Sequence, residues 1–106
     1  MIITTSDAIP DRTIVRTLGL VRGNTIRARH IGRDITAALR NIVGGEVSEY
    51  TKLFAEAREQ SLDRMVEEAT ELGANAIVGV RFTTSQVMNA AAELLVYGTA
   101  VVLAEE

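Results

Sequence analysis

The chain has no cysteine, no tryptophan, one proline and one histidine. The first absence excludes disulfides, thiolate catalysis and zinc-thiolate sites. The single histidine, His30, leaves no imidazole pair to ligate a metal within one subunit. Hydrophobic residues make up 47% of the chain with only two Tyr and two Phe, so the core must be aliphatic. No apolar run approaches the ~20 residues that span a bilayer. The first residues lack a basic segment followed by an apolar run, the pattern of a secretory leader. A soluble cytoplasmic protein with no membrane partner is the expectation.

What is present fits one globular domain over residues 1–106, long enough to bury roughly 60–70% of its unfolded surface. The net charge is −3, unevenly placed. Residues 1–45 carry seven arginines against three aspartates, a balance of +4. Residues 46–106 carry four basic and eleven acidic residues, a balance of −7. Two elements with differently charged solvent faces explain this. A head-to-tail assembly, basic part of one copy against acidic part of the next, is the sharper reading.

Ile2 to Thr4 reads as a short strand, and Ser6 to Asp11 as a turn around the only proline. Arg12 to Arg29 reads as a long extended segment, with Ile14, Leu18 and Leu20 on one side and Val15, Thr17 and Val21 on the other. Gly19 and Gly23 suggest a bulge or bend within it. Residues 30–43 place Ile31, Ile35, Ala38, Leu39 and Ile42 at helical spacing, ended by Gly44 and Gly45. Ser48 sits where a helix N-cap belongs. The helix it opens runs to Leu72, with Tyr50, Phe54, Ala57, Ser61, Met65 and Leu72 as one stripe and Leu62, Val66 and Ala69 as a second flank. So wide an apolar arc predicts that the second flank packs on another subunit. Gly73 stops this helix, and the period changes from 3.6 to 2. Ala76, Val78, Val80 and Phe82 are expected on one face of the next strand, with Ile77 and Gly79 on the other. Ser85 to Ala92 reads as a loop. Leu94 to Leu103 is apolar on both faces, and its second face is expected to need a cover that the chain does not supply. The class is α+β: a small antiparallel or mixed sheet with two helices packed on it.

Candidate chemistry is sparse. His30 opens the expected first helix, and Asp34 lies one turn on along the same face. Glu56, Glu59, Asp63, Glu67 and Glu71 form an acidic row at i+3 and i+4 steps. Hard cations need converging oxygens rather than a line of them, so a solvated face is expected. Arg22, Arg27, Arg29 and Arg33 have no aromatic residues between them for base stacking, and the net charge is negative. Ion pairs with a neighbour's acidic helix suit them better than nucleic acid. No GxGxxG, GxxxxGK[ST] or GxSxG pattern occurs, and no catalytic residue is assigned.

The strings RDI (Arg33 to Ile35), NIVGGEVSEYTKL (Asn41 to Leu53), EAR (Glu56 to Arg58), LGANAIVGVRF (Leu72 to Phe82) and YGTAV (Tyr97 to Val101) follow one another in order. Together they resemble the YbjQ-like family, also called UPF0145, over nearly the whole chain. The resemblance implies a dodecin-like α+β subunit, a ring-shaped homopentamer and no established activity. It also implies a heavy-metal-binding label. Soft metals want thiolate or clustered imidazole, so a metal site here would need several copies of His30 brought together by the ring. The expected function is a non-enzymatic binding or scaffold assembly holding a metal ion or small ligand between subunits. His30, Arg33, Asp34 and Tyr50 are expected to line that ligand pocket. The rival is an enzyme of unknown reaction, with His30 and Asp34 as acid and base at a subunit interface.

Overall fold

The computed structural model describes residues 1–28, 48–88 and 91–105. The elements are β1 (Ile2–Ile3), β2 (Ile14–Ala28), α1 (Ser48–Glu71), β3 (Ala76–Met88) and β4 (Ala91–Leu103). They form a four-stranded mixed sheet in the order β1-β3-β4-β2. β1 runs parallel to β3, and β4 is antiparallel to both β3 and β2. This is an α+β fold with one helix among the described residues. The helix expected over residues 30–43 lies outside them.

α1 lies on one sheet face. Ala57, Ser61, Met65 and Ala69 are buried at successive i+4 steps, which makes one ridge that winds slowly along the helix. Beneath them lie Val21, Ile77, Val80, Val96 and Ala100, with Leu62 and Val66 packed at the side. The sheet comes close to this ridge at Gly23, where a Cβ would stand 2.0 Å from the Ser61 carbonyl oxygen and 2.6 Å from the Met65 nitrogen. Ala69 of the second flank is buried on the chain's own sheet, and Leu62 and Val66 pack there in part. Leu72, expected in the stripe, lies past the helix end and is exposed.

The helix stops as the sequence predicts. Gly73 has φ +89°, its N–H donates to the Thr70 carbonyl, and the Ala74 N–H reaches back to Ala69. This paired closure is the Schellman motif, which needs a left-handed residue that glycine adopts without steric cost.

The opposite sheet face has its own small core of Ala76, Val78, Val101 and Leu103, covered by Ile9 and Ile14. The chain's own turn after β1 therefore caps half of the β4 face expected to need an outside cover. That turn is pinned by the Arg12 N–H donating to Ile9, with Asp11 at φ +65°.

The strand faces depart from simple alternation at register shifts on both β2 and β3. β2 has register shifts on β4 between Ile14 and Arg16 and between Thr17 and Gly19, so Leu20 does not share the buried side of Leu18. Gly79, at φ +63°, sits in a shift on β3 between Val78 and Arg81, which moves Val80 to the helix side with Ile77. A bulge inserts one residue and exchanges every later side chain between faces. Gly23, expected as a second bend in β2, keeps regular register, and its role is the close approach to α1. β3 and β4 also extend through most of the segment expected as a loop, with Ser85 opposite Glu93 and Gln86 opposite Ala92.

Candidate functional site

Three polar places stand out in the described structure. The first is buried between α1 and the sheet. The Thr25 hydroxyl lies 3.2 Å from the Ala57 carbonyl and 3.0 Å from Ser61 Oγ, which donates to the Leu94 carbonyl at 3.2 Å. Both hydroxyls are almost wholly buried, so these bonds decide whether burial is tolerated. The cluster ties β2, α1 and β4 at one height and presents nothing to solvent.

The second is the acidic row of α1. Glu56, Glu59, Asp63 and Glu67 are all exposed. At 100° per residue they fall opposite the buried line of Ala57, Ser61, Met65 and Ala69. A shallow recess of about 450 Å³ is lined, among the described residues, by Ala55, Glu56, Glu59, Gln60 and Asp63 of this helix. Among the described residues no group of three or more His, Cys, Asp or Glu is placed to hold a metal ion. This donor chemistry does not fit a soft heavy metal.

The third is the sheet face away from α1, above the small core. Arg22 of β2 and Arg81 of β3 stand in register on either side of Tyr97 of β4. Leu20 is 62% exposed, Ile26 58% and Tyr97 37%. The Asn24 amide donates to the Glu93 carboxylate at 3.2 Å on the same face. Arg81 Nη1 donates to the carbonyls of Thr5 and Val80, fixing its stem against the segment after β1. The result is a row of two cations around one aromatic ring, flanked by aliphatic side chains.

Of the residues singled out in the sequence, His30, Arg33 and Asp34 lie outside the described residues. Tyr50 falls in the first turn of α1, and its side chain is likewise outside what is described. The row at Tyr97 escaped sequence reasoning, because only the strand register brings residues 22, 81 and 97 side by side. Arg22 was visible as a cation and Tyr97 as part of an apolar strand, with no local signal joining them.

Residues 1–104 match the model of a protein family described as "Putative heavy-metal-binding". A UPF0145 protein of Archaeoglobus fulgidus is 58% identical over 95% of this chain and 94% of its own length. UPF0145 proteins of Methanosarcina acetivorans and Methanococcus vannielii are each 56% identical, over 95% and 97% of this chain and 95% and 98% of theirs. Among solved structures, a protein of unknown function from Pediococcus pentosaceus, placed in the DUF74 family, covers 98% of both chains with a TM-score of 0.64 and 20% identity. At that identity the likeness concerns the fold alone. No described helix is long and apolar enough to cross a membrane.

Proposed function

We propose that this chain, which belongs to the UPF0145 family, is a cytoplasmic homopentameric binding protein that holds a metal ion or small ligand between its subunits. The observation that carries the reading is the outer sheet face. Leu20 and Tyr97, diagonal neighbours on β2 and β4, and Ile26 farther along β2 leave apolar side chains in water on one side of the sheet, and exposed apolar surface on one face is what a second copy can bury. The family's description supports the ligand half of the reading, and the described donors of one subunit do not. A heavy metal would therefore have to sit where copies meet, with His30 the one imidazole each copy can contribute. No chemical step is assigned to it.

Native mass spectrometry of protein purified without added ligand tests this reading. A pentamer carrying extra mass, lost in His30→Ala, is the expected result. A monomer overturns the assembly. A pentamer that takes up no Zn²⁺ or Cu²⁺ on titration, and carries no other mass, overturns the ligand.

A further inference from the structure

The two outer surfaces of the subunit differ in charge. The outer pole of α1 carries Glu56, Glu59, Asp63 and Glu67, and the far side of the sheet carries Arg22 and Arg81 around Tyr97. We propose that the sheet face of one copy receives the acidic pole of α1 from a second copy, with Arg22 and Arg81 opposite Glu59 and Asp63. This rests on the assembly reading above and names the surfaces that meet.

Charge favours this pairing. A two-fold contact between two sheet faces would bring Arg22 and Arg81 of both copies together, with Glu93 already accepting from Asn24 on that face, and one between two helix poles would set carboxylates against carboxylates. Like charges brought together across an interface oppose association. The head-to-tail pairing sets opposite charges against each other, and such a contact generates a ring or an open stack. The arginines are free to engage. Arg22 is exposed, and Arg81 uses only Nη1 for the carbonyls of Thr5 and Val80. A guanidinium has five N–H donors, so Arg81 retains several for a carboxylate.

The test is a charge exchange within one chain. Arg22→Glu and Asp63→Arg are each expected to weaken self-association about tenfold or more at low salt, read by analytical ultracentrifugation. The double variant R22E/D63R places the exchanged pair at every contact and is expected to regain most of the loss. Circular dichroism checks that each variant folds. If a reversal does not fold, Arg22→Gln and Asp63→Asn replace them, and each is expected to flatten the salt dependence of association. Wild-type assembly with a double variant as weak as the two single losses combined, or with unaltered salt dependence in the neutral variants, overturns this contact and leaves the assembly standing. A wild-type monomer at about 100 µM overturns both, because a specific oligomer is populated well below that concentration.

Discussion

At the scale of single residues, the position that decides the packing is Gly23. Any side chain there meets helix backbone, at 2.0 Å from the Ser61 oxygen and 2.6 Å from the Met65 nitrogen. Backbone atoms of a packed helix cannot swing aside as a lysine tip can, so α1 as a whole would have to lift. Gly23→Ala is expected to cost at least the upper end of the ~1–3 kcal/mol typical of overpacking, measured by urea unfolding. Gly19→Ala is a useful contrast. Its Cβ would meet open space, and only the φ of +116° resists substitution, so about 1 kcal/mol is expected in the same measurement. An equal loss for the two variants would show that the helix does not press on the strand at residue 23.

At the scale of elements, the junction after α1 joins helix to sheet in very few residues. Asn75 does more there than its place in a turn suggests. Its side-chain oxygen accepts from the Leu103 N–H at 2.7 Å, its Nδ2 donates to the Leu103 carbonyl at 3.1 Å, and its own N–H donates to Val101. The amide side chain thereby continues the sheet ladder where β3 has not yet begun. Asn75→Ala is expected to lower stability by about 1–3 kcal/mol, the sum of two hydrogen bonds to partly buried backbone. Asn75→Asp retains an acceptor for the Leu103 N–H but no donor for its carbonyl, and thermal unfolding should place it between Ala and wild type. The stop at Gly73 was legible because a glycine after an amphipathic run has one common use. The length of α1 was legible from its period. The irregularity at Gly19 was legible as a bulge or bend, and the bulge at Gly79 was not, since a glycine in a strand announces a departure from regularity without saying whether the chain bends, bulges or makes room for a neighbour. Gly23 and Gly19 have the same local appearance and opposite roles. The clasp of Asn75 and the row Arg22, Tyr97 and Arg81 depend on register between segments far apart in sequence, which no local pattern encodes. Of the candidate pocket, His30, Arg33 and Asp34 lie outside the described residues, so the sequence remains the basis for that part of the site.

At the scale of the whole molecule, the sheet separates two apolar cores. One lies under α1. The smaller one is closed by Ile9 from the segment that follows β1. That segment is held by the Gly79 N–H to Ser6, the Val80 N–H to Thr4 and the Thr4 N–H to Ile77. Ile9→Ala is expected to open this cover as a unit. Hydrogen exchange should quicken together at Thr4, Gly79 and Val80, while amides in the middle of α1 keep their protection. Uniform acceleration across both cores would mean that they open only together. The strand order has a further consequence, in time rather than space. β2 has β4 as its ladder partner, and their pairing joins Ile14 to Leu103 and, through the Ala104 N–H, Thr13 to the far end of the chain. A ribosome releases β2 well before β4. Until β4 emerges, the segment from Ile14 to Ala28, with Val15, Leu20 and Ile26 among its side chains, lacks the one strand it pairs with among the described residues. Contacts that bridge most of a chain carry a large loop-closure cost and form late. The nascent protein must therefore keep an unpaired, partly apolar strand from finding other partners until β4 emerges.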